Sequence, residues 1–178
     1  MPRNLEYVPY GYVPPKPTTK GTLIFYDLFE QIQEELQRAV TIKEERSFEK
    51  LVLYPLHEET ARRMFKGTVS PYHKREKQLE EWIGEHAARS VVIESFESKR
   101  KKYTPIDTAL HHLAEKYKGP YFLLLTPEVA NSFASYSSFE EWIVKLRLIL
   151  LSKPSYLHPR LEKFSHRWDV AGEKREDQ

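Results

Sequence analysis

Three short apolar runs set the rhythm of this chain: Leu51-Val52-Leu53-Tyr54, Val91-Val92-Ile93 and Tyr121-Phe122-Leu123-Leu124-Leu125. Each is followed by polar residues and lies between stretches of helical spacing. Continuous apolar runs of this length suit strands buried on both faces, as in a parallel sheet covered by helices. The pattern therefore predicts an α/β fold. It is a three-layer sandwich with a small, mostly parallel sheet, helices on both faces, and the strands at 50–55 and 120–125 central.

The helical stretches are read from three- and four-residue apolar spacing. Leu28, Phe29, Ile32, Leu36 and Ala39 predict a helix within 23–40, with Thr22 to Tyr26 as an alternative short strand. A further helix is expected over about 58–66, and Leu79, Trp82, Ile83 and Ala87 predict another running to about Ala88. Thr104-Pro105-Ile106-Asp107 and Ser138-Phe139-Glu140-Glu141 both have the form of a capping box, in which a hydroxyl and a carboxylate close the first turn reciprocally. The second is expected to open a helix holding Trp142, Ile143, Leu146, Ile149 and Leu150, ended by Pro154. Leu161, Phe164 and Trp168 are spaced for one face of a short helix.

The organisation expected is a Pro- and Tyr-rich arm at 1–21, a single α/β domain at 22–154, and a tail at 155–178 with a short amphipathic helix. Proline fixes φ and removes a donor, so the arm reads as extended. Packing of its tyrosines along the domain and recognition of a partner are the two accounts of it. On general grounds of symmetry the expected assembly is a homodimer, and a protein partner or self-association is the partner expectation.

Composition narrows the chemistry. The 178 residues are 40% hydrophobic and 13% aromatic, which suits a chain with a core and not a disordered one. There is no cysteine, so disulfides, thiolate catalysis and cysteine-held metals are excluded. No apolar run is long enough to span a bilayer and the N-terminus lacks the pattern of a secretory signal, so a cytoplasmic protein without a membrane partner is expected. The net charge of +2 is nearly neutral, and phosphate binding would need a local basic patch.

Candidate site residues lie just past the apolar runs. His57, Glu58, Glu94, Ser95, Thr126 and Glu128 gather along one edge if the strands are parallel, and that edge is where open α/β folds bind ligands. A histidine among carboxylates could hold a divalent metal as a cofactor or act as an acid–base pair. The plainer account is that Glu58 and Glu128 begin helices, where the dipole favours them. Glu97-Ser98-Lys99 has the acid-x-Lys form used by metal-dependent nucleases of the restriction-enzyme-like type, although the upstream acid those enzymes need has no counterpart on a strand. Lys99, Arg100, Lys101 and Lys102, ending in Tyr103, could contact phosphate and stack a base, which makes nucleic acid a second partner class. His111 and His112 diverge on one helix and read as solvated.

No glycine-rich phosphate loop, zinc-binding pair of helical histidines or nucleophile-elbow motif is present. With only six glycines and no sequence-specific catalytic motif, the expected function is a binding or regulatory module. A metal-dependent hydrolase or nuclease and a nucleic-acid-binding protein are the alternatives.

Overall fold

The computed structural model describes residues 21–172; the Pro- and Tyr-rich arm lies outside them, apart from Gly21. Its centre is a six-stranded sheet made of β1 (Thr22–Asp27), β2 (Lys50–Pro55), β3 (Val91–Ile93), β4 (Tyr121–Leu125), β5 (Leu146–Leu150) and β6 (Trp168–Val170). The order is β3-β2-β1-β4-β5-β6, and every neighbouring pair is parallel. The predicted α/β sandwich is therefore the observed class. β4 is central as expected, but its inner partner is β1, with β2 one place further out.

The helices are α1 (Gln33–Glu45), α2 (Glu58–Met64), α3 (Tyr72–His86), α4 (Phe96–Arg100), α5 (Ile106–Lys116), α6 (Pro127–Ala134), α7 (Phe139–Ile143) and α8 (Pro159–Lys163). Side chains alternate across the inner strands. Leu23, Phe25, Leu51 and Leu53 face α1 and α3, through Leu36, Ala39, Leu79 and Trp82. Ile24, Tyr26, Val52 and Tyr54 face the opposite layer, with Leu110 of α5, Phe133 of α6, Trp142 of α7 and Leu161 of α8. Both faces are apolar, which is why the strand sequences run on without polar alternation.

Register fixes where the strands end. Ile24 lies beside Val52 on one side and Leu123 on the other. Gly21 makes the entry to β1 possible: its φ is +98°, and a Cβ there would lie 2.4 Å from the Pro120 carbonyl oxygen. A side chain would meet backbone that has no room to move.

Three local expectations are corrected. Residues 22–27 form the short strand that the pattern offered as an alternative, and the helix is confined to 33–45, without Leu28, Phe29 and Ile32. Residues 146–150 are strand β5, not the continuation of the Trp142 helix. A short apolar run satisfies either period, and pairing on both sides with β4 and β6 decides it. The two capping boxes do not form their hydrogen bonds, although helices begin at both places. The Thr104 hydroxyl instead accepts from Arg100 Nε and donates to the Lys102 carbonyl. Side-chain caps form elsewhere: Thr126, unforeseen in this role, accepts from the Val129 amide at 3.3 Å and caps α6. Toward the C-terminus, α8 is followed by a 3-10 turn at Ser165–Arg167 and then by β6, the sixth strand of the sheet.

Candidate functional site

The chain reverses its direction of winding between β1 and β4. β1 leads to α1 on one face, and β4 leads to α6 on the other. Their departures leave a gap at the carboxyl edge, the topological switch point at which open parallel sheets take ligands. A crevice of about 270 Å³ lies there, lined by Asp27, Glu30, Glu35, Lys66, Thr126 and Glu128 among others. Four carboxylates against one lysine make it acidic, unsuited to a bare phosphate and suited to a cation.

Asp27 is the last residue of β1 and is buried. Burial pushes its carboxyl up to about 7, with Glu35 adding to the rise, while the Phe29 amide and Arg75 work against it. The Phe29 amide donates to Asp27 Oδ2 at 2.9 Å, and Phe29 holds a positive φ of 63°. The turn from Asp27 to Ile32 contains no glycine and no cation. It cannot form the glycine-rich phosphate cradle that many dinucleotide sheets place after their first strand.

The crevice opens beside a larger groove of about 680 Å³, and the two share Phe65, Lys66 and Glu128. The groove also has Arg63, Ser132, Tyr136, Tyr156 and His158 in its walls. Its far wall is held in place by Asn131, which donates to the Tyr156 carbonyl at 2.8 Å and accepts from the His158 amide at 2.9 Å. His158 Nδ1 accepts from the Arg160 amide and caps α8. Tyr156 is 62% exposed, a ring available for stacking. Cations, hydroxyls and aromatic rings thus surround the outer groove, while carboxylates surround the inner crevice.

The residues singled out from sequence fall into separate places. Thr126 and Glu128 line the crevice. His57 caps α2 through Nδ1, and its ring lies 3.8 Å from Glu58. Glu58 faces Arg75 and accepts from the Tyr72 amide. Ser95 precedes α4 without a side-chain cap. Glu94 is bound to His112 at 3.0 Å, to Lys116 at 2.9 Å and to Tyr117 at 2.8 Å. Burial alone would raise Glu94; the bonds from Lys116, Tyr117 and His112 outweigh it and hold the carboxyl below its ordinary value. His112 is consequently half-buried and stacked on Phe96, not turned to solvent.

The parallel order places these loops on one edge, but β3 is three places from β4. At about 4.8 Å per strand, Glu94 is far from Glu128. Among the described residues, His57, Glu58, Glu94 and Glu128 form no three-donor metal set. The acid-x-Lys reading meets a similar obstacle. Glu97 is fully buried and accepts from Tyr54 Oη, the His57 amide and Thr60 Oγ1 at 2.7–2.8 Å. Burial raises its carboxyl despite those bonds. It ties α4 to β2 and has no face left for a metal. In the basic stretch, Lys99 and Arg100 belong to α4, Lys101 ends it in a left-handed turn, and Lys102 leads to Tyr103, whose ring lies under Arg63.

Asp27, Arg63, Lys66, Tyr136, Tyr156 and His158 escaped the sequence reading. Only Asp27 had a visible signal, since it follows an apolar run, Leu23 to Tyr26, as the other edge residues do. The rest come from connections whose meeting depends on strand order.

No protein-family model matches the chain, and no curated protein matches it. Among solved structures, it is similar to a proposed nicotinate-nucleotide adenylyltransferase from Vibrio parahaemolyticus. The TM-score is 0.57 at 15% identity, covering 83% of this chain and 86% of the other. The likeness extends over most of both chains and establishes a shared α/β fold. The expectation of a binding or regulatory module is corrected by this finding, because the scaffold is matched to that of a proposed nucleotidyl-transferring enzyme. The hydrolase and nuclease alternatives lose their carboxylate set, since Glu94 and Glu128 do not meet and Glu97 is buried in hydrogen bonds to Tyr54, His57 and Thr60. Among the described residues no helix is long and apolar enough to cross a membrane.

Proposed function

We propose that the protein is a nucleotidyltransferase that binds its nucleotide at the β1–β4 switch point. The observation that carries this reading is the position of the crevice and groove. They occupy the carboxyl edge of a parallel sheet where its winding reverses, on a fold shared with a proposed adenylyltransferase.

The phosphates belong in the outer groove, near Arg63, Lys66 and His158, since the turn after β1 is acidic and lacks glycine. Tyr156 and Tyr136 supply stacking surfaces for a base. A nucleotide arriving as its magnesium complex would turn the metal toward the carboxylates of the crevice. In such a transfer an acceptor oxygen attacks the α-phosphorus and pyrophosphate leaves. The protein's part is to hold the two reactants in line and to neutralise charge, a task for Lys66 and Arg63. A cysteine-free chain with this chemistry fits a cytoplasmic setting.

The direct test is pyrophosphate release from ATP with nicotinate mononucleotide and other mononucleotides as acceptors. Release that depends on an acceptor and falls at least tenfold in Lys66→Ala supports the reading. Failure of every nucleoside triphosphate to release pyrophosphate, with any mononucleotide acceptor, overturns it.

A further inference from the structure

A second site lies on the surface formed by α5 and α7. Asp107 and His111 are four residues apart on α5, so their side chains share one face. α7 brings Glu141 to the same spot, and one ligand atom from each of the three lies within 4.8 Å of the other two. Among the described residues this is the only such set of three donors.

The spacing of one pair is informative. His111 Nε2 lies 3.6 Å from Asp107 Oδ1. That is too long for a hydrogen bond. It matches the separation of about 3.4 Å between two ligands of one tetrahedral ion with bonds of ~2.1 Å. Asp107 is also oriented by a neighbour: Trp142 Nε1 donates to the same Oδ1 at 2.7 Å, and the Trp142 ring meets His111 edge-on at 4.9 Å. An outer partner that orients a ligating carboxylate is a usual part of a metal centre. Trp142 is buried, so α7 is fixed on α5 and Glu141 is delivered by packed backbone. Among the described residues Lys145 is the one Lys or Arg paired with the set, 3.7 Å from Glu141, and both of those side chains are exposed enough to part.

We infer that Asp107, His111 and Glu141 bind a divalent transition metal of the zinc type. One nitrogen and two carboxylates leave a fourth position for water. The donor set favours zinc or cobalt over magnesium and calcium, which require six or more oxygens. The site is independent of the nucleotide reading, because none of its residues lines the crevice or the groove.

The experiment is a titration of the tag-free full chain with Co²⁺, followed by visible absorption and then displacement with Zn²⁺. Four-coordinate cobalt gives intense visible bands, and one equivalent per chain is expected. Glu141→Gln and His111→Ala should each weaken binding at least tenfold while leaving the metal-free thermal midpoint near that of the parent. His73→Ala, an exposed histidine on α3, should change nothing. Absence of visible bands at millimolar cobalt, or equal affinity in the parent and both site variants, would overturn the assignment.

Discussion

Arg75 Nη1 donates to the Leu28 carbonyl at 2.7 Å, joining α3 to the turn that leaves β1. The same guanidinium donates through Nε to the Ser70 carbonyl at 2.8 Å and lies 3.7 Å from Glu58. Its side chain is almost fully buried, yet it carries the charge that offsets the carboxylates of the edge. Arginine is required because the bonds run in a fork, which an ammonium cannot reproduce. Arg75→Met should cost about 3–5 kcal/mol in urea denaturation, since it strands two carbonyls and Glu58. Arg75→Lys should recover less than half of that loss.

Asp27 gives the fold a dependence on pH whose sign is set by its raised carboxyl. A group that is harder to ionise when folded favours the native state in acid. That contribution is complete below its unfolded value near 4 and is lost as pH rises toward about 7. Asp27→Asn keeps an oxygen for the Phe29 amide and removes the charge. The variant should gain on the parent between pH 4.5 and 7.5 by a few kcal/mol at most, on a scale of about 1.4 kcal/mol per unit. Equal changes in both proteins over that range would assign the buried carboxylate no such role.

Much of the fold was legible because both faces of the inner sheet are apolar. Leu51 to Tyr54 and Phe122 to Leu125 announce buried strands wherever they fall in the order. The Leu146 to Leu150 run reads as helix and folds as strand, because nothing local separates a five-residue strand from the end of a helix. Thr104 looked like a cap, and in the fold its hydroxyl serves Lys102 and Arg100 instead. The site was less legible still. Thr126 and Glu128 are at the crevice, but Lys66 and Tyr156 reach the groove from connections that follow β2 and β5. Only the order β3-β2-β1-β4-β5-β6 brings those connections together.

Glu97 should be worth more to the fold than any surface carboxylate. It accepts three hydrogen bonds in a buried setting. Glu97→Ala should cost about 3 kcal/mol. A double-mutant cycle with Thr60→Val should show coupling above about 0.5 kcal/mol. Additive losses would mean that the two residues act separately.

Leu123 is fully buried in the central strand β4. Leu123→Ala should lower stability by about 2–5 kcal/mol, the range for a large cavity-forming deletion. An unchanged urea midpoint would place that position outside the core.

The central claim is that the groove beside the switch point binds nucleotide phosphates through Arg63 and Lys66. Calorimetric titration of ATP with magnesium into the parent chain and into the Arg63→Ala, Lys66→Ala double variant tests it most directly. The account predicts saturable one-to-one binding by the parent and a loss of at least tenfold, about 1.4 kcal/mol, in the double variant, with both proteins folded by circular dichroism. No heat of binding in the parent, or equal affinity in the two proteins, would contradict it.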